Sequence, residues 1–242
     1  MIDTSNGRVN KVVTVFGMAG GVGTTTVAAL LGRVLARWNL PTVLVDGNST
    51  APNLANAVQV DPGRVSLEQF LAGTAIKPVF VDTTLGLVPG LRDLRNMHLV
   101  RTAAVLTLLD ALAGTTRVVD TAGFFGDEMV YASLRCATDV VLVARDDVAS
   151  VQQLRRYRLL FERVRMPWER VLLVVNRSRP GPERHLEWEA ETGLTPACVL
   201  PWQSVGGYVV TDSFLRAGEA LASAALGGVS MAKPGGVAWA PA

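Results

Sequence analysis

The segment KVVTVFGMAGGVGTTTVAALL, residues 11–31, combines a strand pattern, a glycine-rich loop and a helix pattern. Residues 12–16 are β-branched or aromatic and continuously apolar, which predicts a strand that is covered on both faces of a parallel sheet. Gly17 ends this strand, and helical periodicity then extends from Thr24 to Leu35. We therefore expect a buried strand, a tight loop and a helix in direct succession.

The loop has the composition of a phosphate-binding site. Gly20, Gly21 and Gly23 leave the backbone free to take positive φ values and to approach a ligand closely. Successive backbone N–H groups can converge there, and the start of the following helix adds partial positive charge. The predicted phosphate-binding residues are Gly20, Gly21, Val22, Gly23, Thr24, Thr25 and Thr26. The alternative interpretation is a tight strand-to-helix turn without a ligand.

Length and composition favour one α/β domain. The chain has 242 residues, 49% of them hydrophobic, which is enough for a substantial core. We expect a single domain over residues 1–228, followed by a flexible tail over 229–242 that is rich in Gly, Pro and Ala. The net charge of +2 argues against binding to nucleic acid or acidic lipid through overall charge.

Cysteines, histidines and lysines are few. Cys136, Cys198, His98 and His185 lack metal-ligand spacing, so ordinary structural roles are expected for them. The three lysines are Lys11, Lys77 and Lys233. No run approaches the roughly 20 apolar residues that span a bilayer, so we expect a cytoplasmic protein without membrane insertion.

Apolar strands and helical segments alternate along the chain, and this alternation predicts a doubly wound, mostly parallel sheet with helices on both faces. The predicted buried strands after the first cover residues 42–46, 116–120, 139–144, 171–175 and 197–200. Asp46, Asp120 and Asn176 each stand at the carboxyl end of a strand, where open α/β sheets bind ligands. We expect these three side chains to meet at the edge that carries the glycine-rich loop.

Three local patterns predict helix positions. Apolar residues at helical spacing predict one long helix between Asp93 and Leu112, with Met97 in the core. Capping boxes are predicted at Ser66 and Ser150. Asp127 and Glu128 are expected to cap a helix over 128–136, because acidic residues suit a helix amino end.

The segment MAGGVGTTTVA resembles the deviant Walker A loop of the MinD/ParA superfamily, whose usual form is KGGVGKTT. In this comparison Ala19 replaces the lysine that crosses to the partner's nucleotide, and Thr24 replaces the lysine that holds the β- and γ-phosphates. Thr25 matches the hydroxyl residue that coordinates Mg²⁺. A loop without these lysines resembles the CpaE/TadZ-like branch, which helps place pilus and secretion machines.

Motifs further along the chain extend the resemblance. The segment DGNSTAPNL is similar to switch I, with Asp46 at its first aspartate and Asn48 in place of its second. Asp120-Thr121-Ala122-Gly123 resembles Walker B with switch II, which implies that Asp120, with Thr25 and Asp46, holds Mg²⁺. Taken alone, Gly47 and Asn48 are explained equally well by a simple turn.

The segment VVNR resembles the adenine-recognition motif of the superfamily. The resemblance implies that Asn176 and Arg177 contact the base and that the backbone of Pro201 flanks it. Together with the other motifs, it implies a protein that binds ATP and Mg²⁺ and forms a homodimer on nucleotide binding.

The implied role is that of a positioning or assembly factor with a protein partner in a pilus, secretion or positioning system. Weak or absent hydrolysis is expected, because both Walker A lysines are missing. One alternative is a scaffold with the same fold that binds no nucleotide. Another is a DNA-partitioning ATPase that acts through the arginine-rich helix around residues 155–165, although such arginines more often form a solvated or protein-docking face.

Overall fold

The computed structural model describes residues 10–74, 77–176, 188–201 and 211–227. The strands are β1 (Val12–Gly17), β2 (Thr42–Gly47), β3 (Val79–Phe80), β4 (Leu85–Val88), β5 (Thr116–Thr121), β6 (Asp139–Arg145), β7 (Val171–Asn176) and β8 (Pro196–Leu200). They form one sheet in the order β3-β4-β2-β5-β1-β6-β7-β8. All neighbouring pairs are parallel except β3 with β4. The predicted doubly wound, mostly parallel sheet is confirmed.

Helices cover both faces of this sheet. They are α1 (Thr24–Arg37), α2 (Leu54–Ala57), α3 (Leu67–Leu71), α4 (Thr102–Ala111), α5 (Glu128–Cys136), α6 (Val148–Arg163), α7 (Trp188–Thr192) and α8 (Asp212–Ala225). Helices α1, α2 and α8 pack on one face, while α3 to α7 pack on the other. Central strands are therefore apolar on both sides: in β1, Val13 and Val15 face α1, whereas Phe16 faces α6.

One long helix between Asp93 and Leu112 was expected, and that prediction is wrong. A 3-10 helix over Leu94–Leu99 is followed by a break at Val100 and Arg101, after which α4 begins. Arg101 is extended, and the Glu128 carboxylate accepts hydrogen bonds from the backbone N–H and the hydroxyl of Thr102. The amino end of α4 is thus capped from another helix, which separates it from the preceding turn. Met97 was expected in the core, but it is 42% exposed.

The predicted helix starts have mixed outcomes. Gln69 accepts a hydrogen bond from the backbone N–H of Ser66, as the first capping box requires. Asp127 caps α5 through the N–H of Met129, as expected. Ser150 is not a cap, because α6 begins two residues earlier and Asp147 accepts from the Ser150 N–H. Helix α2 was not predicted.

Several predictions fall on residues outside the described part of the chain. These are Arg177, His185 and the tail over 229–242. Within the described ranges, no helix is both long enough and apolar enough to cross a membrane.

Candidate functional site

Four polar side chains lie at the carboxyl edge of the sheet, the edge that also carries the glycine-rich loop. Side chains alternate between the two faces of a strand, so residues two apart share a face. The four polar residues Asp46, Asp120, Arg145 and Asn176 each lie two positions after a residue that packs on the α1 side, respectively Leu44, Val118, Val143 and Val174. All four therefore emerge on the face of the sheet where α1 begins.

The loop between β1 and α1 has the backbone geometry of an anion site. Gly21 and Gly23 have φ values of 70° and 95°, and they alternate with residues of negative φ. Such alternation turns successive N–H groups toward one concavity. Val22, which is 2% exposed, anchors the loop in the core, while Gly20 and Gly21 are exposed. Since Gly23 provides no side-chain cap, the first N–H groups of α1 are available to a ligand.

On one side of the loop lies the acidic half of the site, formed by Asp46, Asp120 and Thr25. The Thr25 hydroxyl donates to Asp120 Oδ2 at 2.6 Å. Asp120 is fully buried, and its Oδ1 has no hydrogen-bond partner among the described residues. Asp46 lies on the neighbouring strand in register with Asp120 and accepts from the backbone N–H of Leu54 at 2.8 Å.

Both carboxyl groups hold their protons more tightly than usual. Burial raises the pKa of Asp120 to about 8; repulsion from Asp46 adds to the rise, and the Thr25 hydrogen bond opposes it. Burial also raises the pKa of Asp46 to about 6, against the hydrogen bonds from the backbone N–H groups of Leu54, Asn48 and Asn53. Both shifts arise because burial disfavours the charged carboxylate, and for Asp120 the neighbouring Asp46 disfavours it further.

The acidic half fits Mg²⁺. Carboxylate and hydroxyl oxygens are its preferred ligands, and Asp120 Oδ1 is a buried acceptor that a cation would satisfy. In the described ranges, no group of three or more His, Cys, Asp or Glu residues is arranged to hold a metal. Mg²⁺ usually takes one or two carboxylates and completes its shell with phosphate oxygens and water, so the carboxyl groups of Asp120 and Asp46 are enough for it.

On the other side of the loop lies the basic half of the site, formed by Arg145 and Asn176. Asn176 Nδ2 donates to the Val22 carbonyl at 2.7 Å, and Arg145 Nη2 donates to the Gly20 carbonyl at 2.9 Å. Arg145 and Asn176 are register partners on β6 and β7. Arg145 was missed by the sequence analysis, which ended this strand at Ala144. The sequence signal that could have identified Arg145 is its position directly after the apolar run of residues 139–144, at the carboxyl end of a strand.

Neither Walker lysine position carries a cation. Ala19 is exposed, and the Thr24 hydroxyl lies so close to Gly17 that a Cβ atom there would overlap it. Lys11 lies at the opposite edge of the sheet, where it pairs with Asp139 at 3.1 Å. Among the described residues, the guanidinium of Arg145 is a cationic group that contacts the loop.

The segments after β2 and β5 close the floor of the site. Asn48 accepts from the Thr50 hydroxyl at 3.2 Å and from the Ala51 N–H at 3.1 Å, so its amide oxygen stabilises a local turn. Ser49 donates to Asp127, which links the two segments. A Cβ atom at Gly123 would lie 2.7 Å from the Gly17 carbonyl, so only glycine allows this close approach to the loop.

Two further predicted residues lie within the described part of the chain. Thr26 is half-buried in the first turn of α1. Pro201 directly follows β8, two strands away from Arg145. Arg177 lies outside the described residues.

Comparison with known protein families finds a nucleotide-binding domain. The model of the "CobQ/CobB/MinD/ParA nucleotide binding domain" matches residues 13–208, well over half of the chain. No curated protein compared with the chain is a significant match.

Solved structures share the fold at low identity. MinD of Pyrococcus horikoshii, complexed with Mg-ADP, superposes with a TM-score of 0.76 at 19% identity, covering 91% of this chain and 98% of that one. MinD in a MinC:MinD complex of Aquifex aeolicus gives 0.72 at 20%, covering 93% and 100%. A plasmid partition protein of Borrelia burgdorferi, bound to AMPPNP, gives 0.73 at 16%, covering 91% and 100%.

Proposed function

Because the chain belongs to the CobQ/CobB/MinD/ParA nucleotide-binding domain family, we propose that it binds ATP with Mg²⁺ and acts as a dimerising positioning or assembly factor. The observation that carries this proposal is the Thr25–Asp120 pair at the foot of the loop. A hydroxyl and a buried carboxylate with one unused oxygen are held together next to uncapped N–H groups of a helix. This combination suits a cation bound to phosphates.

Different residues of the site bind the phosphates and the metal ion. The N–H groups of the loop and of the first turn of α1 bind phosphate oxygens. Thr25, Asp46 and Asp120 hold Mg²⁺, and the hydrogen bond from the backbone N–H of Leu54 fixes the Asp46 carboxylate. Bound Mg²⁺ would neutralise charge on the phosphates.

Adenine is the proposed base. Asn176 uses its amide nitrogen to hold Val22, which leaves its Oδ1 to accept from the exocyclic amine of adenine. The P. horikoshii and B. burgdorferi structures contain Mg-ADP and AMPPNP, respectively, in the same fold. Guanine presents an oxygen instead of an amine at this position, so Asn176 favours ATP.

Hydrolysis is proposed to be slow or absent. Phosphoryl transfer depends on positive charge placed on the transferred group. Ala19 and Thr24 remove the charge of both lysines, and Asn48 is engaged in its own turn. The bound nucleotide therefore acts as a switch between the free and the dimeric protein, or as a permanent structural part of the dimer.

The cellular role follows from the form of the loop. A MinD/ParA-type loop without its lysines is similar to the CpaE/TadZ-like branch, and this supports a role in placing a pilus or secretion machine through a protein partner. MinD in a solved complex contacts MinC, which shows that this fold supports partner binding. The exposed tip of the loop, Ala19 to Gly21, is proposed to lie at the dimer interface.

DNA partitioning is less well supported by the arginine-rich helix α6. Arg155 pairs with Glu191, and Arg158 approaches Glu162 at 3.8 Å and stacks over Trp168 at 5.5 Å. Part of the positive charge is therefore compensated within the protein. Retention of the protein on duplex DNA at physiological salt would favour DNA partitioning over the proposed positioning role.

Isothermal titration of ATP in the presence of Mg²⁺ tests the proposal, with the wild type and Thr24→Lys compared. The wild type should bind, and the variant should bind roughly ten-fold to a hundred-fold more tightly, since a charge-assisted phosphate contact is gained. Sedimentation of the same samples should show a dimer only with ATP. If neither protein binds millimolar ATP, the chain is a scaffold without nucleotide and the proposal is wrong.

A further inference from the structure

The guanidinium of Arg145 occupies a place where a nucleotide-binding loop needs positive charge. Arg145 is the last residue of β6, and β6 runs parallel to β1 with Gly17 and Val143 in register. The Met18 N–H donates to the Val143 carbonyl at 3.0 Å, so β6 continues alongside the first residues of the loop. Since Arg145 shares the α1 face with Val143, its side chain emerges at the amino end of α1.

Contacts fix this side chain on the loop. Nη2 donates to the Gly20 carbonyl at 2.9 Å, and a Cβ atom at Gly21 would lie 3.7 Å from the same nitrogen. The backbone N–H of Arg145 donates to the Ser150 hydroxyl, which holds the end of the strand in place. The cation is thus positioned before any ligand binds.

The charge of Arg145 has no counterion in the described part of the chain. The ion pairs found there involve other residues. Asp147, two positions further on, uses its carboxylate to cap α6. A guanidinium carries five N–H donors, and the Gly20 carbonyl engages one nitrogen. The remaining donors form a planar fork that suits phosphate oxygens.

We propose that Arg145 is the phosphate-binding cation of this site and replaces the missing lysine at Thr24. The inference rests on the proposed function, because it assigns a ligand contact in the same nucleotide site. The charge has moved from the first turn of the helix to the end of the neighbouring strand. The acceptor is a phosphate of the bound adenine nucleotide.

Two substitutions separate the charge of Arg145 from its hold on the loop. Arg145→Gln keeps an N–H donor for the Gly20 carbonyl but removes the charge, whereas Arg145→Lys keeps the charge but removes the fork. Titration with ATP and Mg²⁺ should show a loss of roughly ten-fold to a hundred-fold for the Gln variant and a smaller loss for the Lys variant. Arg156→Gln, on the exposed side of α6, is the matched control and should bind as the wild type does.

A double-mutant cycle tests the replacement itself. If Arg145 does the work of the missing lysine, Thr24→Lys should improve ATP binding more in the Arg145→Gln background than in the wild type. An equal gain in both backgrounds would overturn the replacement, as would an Arg145→Gln variant that binds ATP like the wild type. Failure of the wild type itself to bind ATP would instead contradict the proposed function. The two failures are therefore distinguishable.

Discussion

The acidic and basic halves of the site are built differently, although both belong to one sheet and flank the same strand, β1. In the acidic half, Asp120 is fully buried and already hydrogen-bonded to Thr25. In the basic half, Arg145 is only half-buried and holds the loop through a single carbonyl. The metal side keeps the residues that its motif predicts, while the phosphate charge comes from a residue that no motif contains. We therefore expect that substitutions can alter metal binding and the cationic contact to the phosphates separately.

The largest expected effect concerns turnover, which depends on the basic half. Phosphate release at saturating ATP and Mg²⁺ should remain near background, because a single cationic side chain on the transferred phosphoryl group, such as an arginine finger, is worth about 10³–10⁵ in rate. Arg145 offers one charge where the family motif has two. A steady-state phosphate assay of the purified protein measures this directly.

Asp120→Ala is the control for contaminating activity in that assay. Background release that is equal in the wild type and in the variant supports the comparison between the two halves. Robust release by the wild type, lost in Asp120→Ala, would show that the basic half supplies enough charge for catalysis.

The next effect is on stability and belongs to the acidic half alone. The pKa of Asp120 is raised by burial from 3.8 to about 8, so between these values the folded state keeps a proton that the unfolded state has released. The stabilisation that the Asp120 proton contributes is complete below the unfolded pKa of 3.8. As pH rises from there to about 8, the free energy of unfolding falls by about 1.4 kcal/mol per pH unit. Asp120→Asn should therefore unfold at a higher temperature than the ligand-free wild type at neutral pH.

Thermal unfolding without ligand, from about pH 6.5 to about pH 8, measures this difference above the pKa of Asp46, which is about 6. The advantage of Asp120→Asn over the wild type should grow through this range. If the two proteins keep a constant difference, Asp120 does not carry a raised pKa and the acidic half is not strained without a cation.

The smallest effect concerns the choice of base. Asn176→Ala removes the proposed adenine contact and the hydrogen bond to Val22, at about 1 kcal/mol each. ATP affinity should fall several-fold, and the preference for ATP over GTP should shrink with it. Competition between the two nucleotides measures the preference, and an unchanged ratio would place base recognition elsewhere.

Much of the fold and the acidic half of the site followed from the sequence. The strand that ends at Asp120 is an apolar run with a terminal carboxylate, and parallel strands bring such ends to one edge. Thr25 follows the loop at a fixed spacing, so its approach to Asp120 is determined by the strand–loop–helix unit itself.

Other features depend on contacts between distant segments. Arg145 was overlooked because β6 extends one residue past its apolar run, and the neighbouring loop gives that residue its place. The break before α4 is stabilised by Glu128, which lies on another helix. A 3-10 helix followed by an α-helix has nearly the same apolar spacing as one long helix, so the pattern alone did not separate them.

The magnesium dependence of ATP binding, compared in the wild type and in Asp120→Asn, tests the central claim most directly. The variant keeps the shape of the side chain and the acceptor for Thr25, but it removes the carboxylate that holds the metal. Mg²⁺ should strengthen ATP binding by the wild type and have little effect on the variant, a difference of roughly ten-fold to a hundred-fold. Equal magnesium dependence in the two proteins would contradict the assignment of Asp120 and, with it, the account of the acidic half.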